Sequence, residues 1–409
     1  MSNSGGTKQR PDVIVVGGGV VGCSIAYRLS LAGKKVLLIE RRGLASGASG
    51  RNGGMTGAGS AMYSEAGQAV YSITSANLDL MRQLPEELGA DFELRLPGTL
   101  DVATTVEQYD HLAESTAVQQ ANGINVEMMD RTQAQSVMPA LSDAILGAQY
   151  AHGRGHLWPF GLVHAFAAAA QRHGAEIQVG VAVERLVRTG DRVTGVVING
   201  ETIESDDVVL ATNAYTPTLL PDLPKGAIVP ARGQILVTQP VPPILPHPFG
   251  NNFDKEYGRQ VPGGPILCGG YRRLDEDEGL GHYEERVSPA VLSGIARTLT
   301  TLFPVLEGIK VVRCWAGIMG FTADGLPLIG RVPSSPGLTL AAGFNGGGFS
   351  WAAITGTIVS DLLTGREPEY NLTPFNPDRF ANAGTTWNNP FTAGEKNSTQ
   401  TAAQIISVI

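Results

Sequence analysis

At 409 residues, 43% of them apolar, the chain is long enough to predict two or three lobes rather than a single core. A formal charge of −8 argues against a general binder of nucleic acid or of anionic membranes. Cys23, Cys268 and Cys314 are too scattered for a disulfide framework or a metal cluster, and each reads as a small buried residue in a reducing compartment. Residues 1–11 are polar and lack the apolar core of a signal peptide. No apolar run approaches the ~20 residues that span a bilayer, so the expectation is a soluble, cytoplasmic protein.

The first element in the chain carries the strongest signal. In Asp12-Val-Ile-Val-Val-Gly-Gly-Gly-Val-Val-Gly22 a run of β-branched residues reads as a buried parallel strand, and the apolar stretch 24–31 reads as a helix. Between them Gly17, Gly19 and Gly22 have G-x-G-x-x-G spacing: a tight turn, a close approach for a diphosphate, and close helix–strand packing. Val20 and Val21 are expected to contact the cofactor, and the helix N-terminus beyond them faces the diphosphate with its N–H groups and positive dipole end. A second strand, 35–39, ends in Glu40, 23 positions after Gly17 (40 − 17), where a carboxylate takes the hydroxyls of an adenosine ribose. Strand, helix, second strand and terminal Glu together predict a bound dinucleotide.

After Glu40 and Arg41 comes a Gly/Ser-rich loop through Ser49, Gly50, Arg51, Asn52, Gly53 and Gly54, rich in N–H donors. Helical spacing recurs at 75–88, 107–122 and 132–138, and a short strand at 100–103. Pro159 starts a helix through Ala170. Residues 176–187, 192–197 and 201–204 read as a meander, and 207–214 as an apolar strand ending in Ala211-Thr212-Asn213. Strands at 229–237 and 265–270 flank a proline-rich loop, 240–248, and a helix covers 288–302. Strands at 326–330 and 338–342 then lead into the Gly343-Phe-Asn345-Gly346-Gly347-Gly348 loop, which feeds an apolar helix from Phe349 to Leu363. Residues 382–409 read as a loose polar tail. His152 and His156, in His-Gly-Arg-Gly-His, lack the rigid spacing of a metal pair, so no metal site is expected.

These stretches resemble the D-amino acid oxidase superfamily of FAD enzymes, which includes glycine oxidase, sarcosine oxidases, γ-glutamylputrescine oxidase and flavin-dependent amino acid dehydrogenases. Residues 12 to 380 are covered. Four features carry the resemblance: the opening nucleotide fold, the Gly47-Ala-Ser-Gly-Arg-Asn-Gly-Gly54 loop, the strand ending Leu210-Ala-Thr-Asn, and Trp315-Ala-Gly-Ile-Met-Gly-Phe-Thr-Ala-Asp-Gly-Leu-Pro-Leu-Ile-Gly330 with the glycine loop beyond it. The resemblance implies an α/β chain with a Rossmann-type FAD-binding domain built from 10–90, 150–220 and 320–380. A second, α+β substrate domain, 91–149 and 221–319, would roof the flavin with an antiparallel sheet. It implies that the Val183 backbone meets the adenine, that Gly346, Gly347 and Gly348 lie beneath the flavin's pyrimidine edge, and that Ala211, Thr212, Gly317, Gly343, Asn345 and Phe349 also border the cofactor. A helix N-terminus there would stabilise negative charge on the reduced ring.

The chain also departs from that pattern. Relatives that bind a carboxylate continue Trp-Ala-Gly with Leu-Arg-Pro, where this chain has Ile318, Met319 and Gly320. The lysine of monomeric sarcosine oxidases is absent after the glycine loop, where Phe349-Ser350 follows. The cysteine that links flavin covalently in those oxidases aligns with about Gly317, so non-covalent FAD is expected, although Cys314 lies only three residues away. Tyr257, Arg272, Arg273 and Met319 are the candidate substrate residues. The implied reaction removes a hydride equivalent from the carbon beside an amine. Three readings stay open: an oxidase using oxygen, a dehydrogenase passing electrons to a partner, and a catalytically silent flavin-binding subunit. With Met319 in place of arginine, glycine, sarcosine and D-alanine are expected to be poor substrates.

Overall fold

The computed structural model describes residues 10–57, 65–251 and 255–381, and the short strands Thr386–Trp387 and Gln400–Thr401. Apart from those two strands, which pair with each other, the expected tail at 382–409 lies outside the described residues.

The first sheet has six strands in the order Leu328–Arg331, Leu338–Ala342, Asp207–Leu210, Val13–Val16, Val36–Glu40, Glu176–Val179. All pair in parallel except the edge strand Leu328–Arg331. Val13 and Val15 face one buried layer and Ile14 and Val16 the other. A strand covered on both faces needs an apolar side chain at every position, which explains its unbroken apolar run. Helices Val20–Leu31, Glu65–Leu88, Pro159–Arg172 and Ala352–Thr364 pack on one side. A three-stranded sheet, Val183–Thr189, Arg192–Ile198 and Glu201–Glu204, covers the other through Val193, Val196 and Ile198. This is a Rossmann-type α/β arrangement.

A second sheet has eight strands, ordered Val311–Thr322, Ile228–Thr238, Ile266–Gly269, Glu256–Gln260, Phe249–Asn251, Thr99–Ala103, Gly147–Ala151, Val126–Asp130. It is antiparallel but for one parallel pair, Phe249–Asn251 beside Thr99–Ala103, which come from distant parts of the chain and so have no hairpin to fix their direction. Helices Arg131–Val137 and Pro289–Leu302 bury one face with Leu100, Phe249 and Cys268. The other face looks toward the nucleotide fold.

Several elements differ from the sequence reading. The run 176–187 is two strands, split at Gly180 (φ +74°): Glu176–Val179 extends the parallel sheet and Val183–Thr189 starts the three-stranded one. The first helix begins at Val20, directly after Gly19, rather than at residue 24. Val126–Asp130, Gly147–Ala151, Phe249–Asn251 and Glu256–Gln260 are strands that composition did not reveal, since glycines and polar residues interrupt their alternation.

Candidate active site

The strand–turn–helix at the start of the chain is tightly determined. Gly17 has φ +113°, and a Cβ there would lie 2.6 Å from the Ala211 carbonyl oxygen. A Cβ on Gly22 would lie 1.9 Å from the Gly17 oxygen, so Gly22 serves close packing and does not itself line a cavity. Glu40 turns back onto this loop: its carboxylate accepts the Gly18 N–H and the Arg42 N–H, each at 2.8 Å. One helix N–H is not free for a ligand, because the Val20 N–H donates to Ser49 Oγ at 3.0 Å.

A cavity of about 1040 Å³ runs from this turn to the eight-stranded sheet, at the upper end of the ~300–1,000 Å³ common for ligand sites. Gly17, Gly19, Val20, Val21, Glu40, Arg41, Ser49, Asn52, Gly53, Val183, Ala211 and Thr212 line it. So do Asn345, Gly346, Gly347, Gly348 and Phe349, and from the roof Tyr257, Arg272 and Met319. At one end Arg41 stacks 3.8 Å over the Tyr215 ring, beside Glu40 and Val183. Ser46 Oγ and Thr56 Oγ1 are buried in the cavity wall with no hydrogen-bond partner among the described residues. The chemistry of this wall fits a dinucleotide: it offers a carboxylate that could take ribose hydroxyls, and glycine backbone with orphaned hydroxyls that could take phosphate.

Other residues expected at the cofactor lie behind the cavity wall and support it. Gly50, Arg51, Gly54, Gly317 and Gly343 do not line the cavity. Arg51 donates to the Ser46 and Ala316 carbonyls and pairs with Glu285 at 2.8 Å, and Glu285 also takes a two-pronged contact from Arg42. Gly317 leaves room for Arg51, whose Cβ would be 2.7 Å from an added Cβ. Gly50 and Gly54 pack against the Ala45 and Leu157 carbonyls, and Gly343 (φ +72°) against Thr322. Asn52 lines the cavity but spends its side chain on the loop, donating to the Ala48 and Ser49 carbonyls and accepting from Gly54 N–H.

The glycine loop is held the same way. Asn213 (φ +46°) accepts the Gly343 and Phe344 N–H groups, and Asn345 accepts the Thr322 N–H. The helix beyond starts at Ala352, after a 3₁₀ turn at Gly348–Ser350, rather than at Phe349. Its Ala353 and Ile354 N–H groups donate to the buried Asn77 side chain. That helix therefore offers a ligand its dipole but not those two donors.

The roof brings together residues far apart in sequence. Met319 Sδ sits 3.4 Å from the Arg272 guanidinium, so a cation from another strand end reaches the position where Met319 stands. Tyr271 at φ +53° turns the chain there, and a buried two-pronged Arg232–Asp275 pair, at 2.7 and 2.9 Å, fixes the following turn. Arg273 points elsewhere: it is exposed, stacks on Tyr271 and does not line the cavity. Burial raises Tyr257 to about 12 and lowers Arg272 to about 10, so the phenol stays protonated and the guanidinium charged at neutral pH.

His152 and His156 do not converge. His152 Nε2 lies 2.9 Å from Glu127, whereas His156 Nδ1 lies 3.1 Å from the buried Arg259. No metal-binding cluster occurs among the described residues. The residue of that motif which enters the cavity is Arg154. Arg154, Asp101 and Lys255 all line the roof and were not singled out in the sequence; a charged residue on a half-exposed strand looks the same whether it faces solvent or a ligand. Neither a cysteine nor a histidine lines the cavity, and Cys314 is exposed.

The model of the FAD dependent oxidoreductase family matches residues 12–362. This chain belongs to that family. FAD is therefore its cofactor, and the chain is an FAD-dependent oxidoreductase. It is 29% identical over 375 residues to a glycine oxidase from Geobacillus kaustophilus (strain HTA426), covering 90% of this chain and 97% of the relative. A D-amino acid dehydrogenase from Methylobacterium sp. (strain 4-46) is 27% identical, covering 91% of this chain and 99% of the relative. Among solved structures, glycine oxidase from Geobacillus kaustophilus superposes with a TM-score of 0.82 at 28% identity, over 91% of this chain and 99% of that one. L-proline dehydrogenase from P. horikoshii superposes with a TM-score of 0.81 at 25% identity, over 91% and 98%. No helix among the described residues is long and apolar enough to cross a membrane.

Proposed function

We propose that this oxidoreductase oxidises the C–N bond of an amine or amino acid and passes the electrons to oxygen, giving hydrogen peroxide. One observation carries the reading: the Arg272 guanidinium, Tyr257 and Met319 meet on the cavity wall that also includes Gly346–Gly348. Gly346, Gly347 and Gly348 would hold a non-covalently bound FAD on this wall, where it would supply the two-electron sink for oxidising the carbon beside a neutral amine, water completing the C–N cleavage. The chain's own part is positional. Arg272 receives an anionic group of the substrate, and the protonated Tyr257 hydroxyl donates a hydrogen bond to it. Met319 forms an adaptable apolar wall, and the roof excludes water. No side chain needs to remove the substrate's proton.

The glycine oxidase relatives support oxygen as acceptor, and the D-amino acid dehydrogenase relatives define the competing outcome. The experiment is anaerobic addition of candidate amines to the yellow protein, followed at 450 nm, then admission of oxygen. Fast recovery of colour with peroxide formation supports an oxidase; recovery only with an added dye would assign a dehydrogenase. If no amine bleaches the flavin, the proposal fails. Arg272→Met should raise KM for carboxylate-bearing substrates by roughly 10- to 100-fold, whereas Arg273→Met should leave it unchanged. Glycine and D-alanine turned over efficiently by Arg272→Met would sink the anchor.

A further inference from the structure

Arg272 reaches the cavity from a turn rather than from a strand. Strand Ile266–Gly269 pairs with Ile228–Thr238 only as far as Gly269 opposite Ile235. Beyond that point the turn at residues 271–275 lies beside Arg232, Gly233 and Gln234 in place of a ladder partner. Outside the ladder no strand register fixes where a side chain points, so side-chain contacts must do it.

Three consecutive residues of one strand supply those contacts from its two faces. Arg232 and Gln234, two positions apart and so on the same face, both bind the Asp275 carboxylate. Arg232 donates two hydrogen bonds, at 2.7 and 2.9 Å, and Gln234 Nε2 donates one at 2.9 Å. The Arg232 and Asp275 side chains are 0% and 2% exposed. Asp275 then donates its backbone N–H to the Arg272 carbonyl at 2.8 Å, which ties the turn to the pair. Gly233 looks to the other face: a Cβ there would lie 2.6 Å from Met319 Cε and 3.5 Å from an Arg272 guanidinium nitrogen. The guanidinium carbon itself stands 5.3 Å from the centre of the Phe321 ring. One strand thus grips the turn on one side and leaves room for the guanidinium on the other. Arg232, Gln234 and Asp275 do not line the cavity, whereas Arg272, Met319 and Phe321 do. A buried ion pair adds little net stability over apolar packing of the same volume, so this one is better explained by the single conformation it selects.

We propose that Asp275, held by Arg232 and Gln234, is a positioning residue that aims Arg272 at the anionic group of the substrate. The inference rests on the Arg272 anchor proposed above, but its test does not need turnover. The FAD-loaded full chain is titrated with acetate, propanoate and butyrate, reading the shift in the flavin spectrum, in a double-mutant cycle of Asp275→Asn and Arg272→Met. Asp275→Asn should weaken acid binding roughly five- to tenfold when Arg272 is present, and by less than about twofold in Arg272→Met, with FAD content unchanged. Asparagine leaves the Arg232 charge buried and unpaired, so the double variant Arg232→Met/Asp275→Asn, which removes both charges, runs beside it and should show the same dependence on Arg272. Equal weakening with and without Arg272 would reduce Asp275 to general support of the fold and overturn the proposal. If Arg272→Met weakens acid binding and neither Asp275 variant does, the anchor stands and the positioning role alone fails. If Arg272→Met leaves acid affinity unchanged, the anchor falls and the positioning role falls with it. Failure of every amine to bleach the flavin, with the coupling intact, would instead remove the proposed reaction and leave the positioning role.

Discussion

Glu40→Ala tests an observed role and an expected role of one carboxylate. Its oxygens accept the Gly18 and Arg42 N–H groups at 2.8 Å, and in the bound state the same carboxylate would take the ribose hydroxyls of FAD. A hydrogen bond to a charged group contributes roughly 1.5–3 kcal/mol. Losing two ribose contacts would therefore cost about 3 kcal/mol of binding, which is roughly 100-fold in Kd. The two backbone bonds act on the apoprotein, so its melting temperature should also fall, on the order of a few degrees. Fluorescence quenching during titration of apoprotein with FAD reads the first effect, and a thermal melt without FAD reads the second. FMN lacks the adenosine and serves as the control: its affinity should fall much less. Glu40→Gln, which keeps one oxygen, should lie between wild type and Glu40→Ala. FAD affinity within about threefold of wild type, or equal losses for FAD and FMN, would refute the ribose contact.

Gly22→Ala places a Cβ 1.9 Å from the Gly17 oxygen; the turn must open, so the protein should lose about 1–3 kcal/mol of stability and be purified with less bound FAD. Acid precipitation should release the flavin into the supernatant, since no cysteine or histidine lines the cavity; colour in the pellet would contradict non-covalent binding. Burial, then Arg259 and Arg95, hold His156 at about 4, against ~6.5 in an unfolded chain. The unfolded chain takes up that proton first, so this contribution is complete above about pH 6.5 and is lost as the pH falls toward about 4. Discounted for partial exposure, the loss is on the order of 1–2 kcal/mol. Denaturant midpoints across that range should depend less on pH in His156→Gln, and an identical slope would rule His156 out.

Local chemistry made the nucleotide half legible. Val13–Val16 shows no alternation because both its faces are buried; Gly22 and Glu40 each satisfy a constraint set within about thirty residues of chain, and Gly17 a positive φ of its own backbone. Such constraints leave a spacing that can be read directly. The sequence alone was less informative about strands such as Phe249–Asn251 and Glu256–Gln260, whose cavity face carries glycines and charges in place of an apolar alternation. Nor could it separate Arg272 from Arg273: one turn, opened by Tyr271 at φ +53°, sends the first into the cavity and the second to solvent.

By itself, then, the sequence determined the dinucleotide turn, its acidic partner and the glycine loop, because backbone sterics admit few residues at those positions. Only the tertiary structure decided the roof. Whether Met319 stands beside a cation, and whether Arg154, Asp101 and Lys255 share a wall, depends on pairing strands that lie roughly 50 to 150 residues apart. A charged side chain carries no local mark of what it will face; the register of distant strands supplies it.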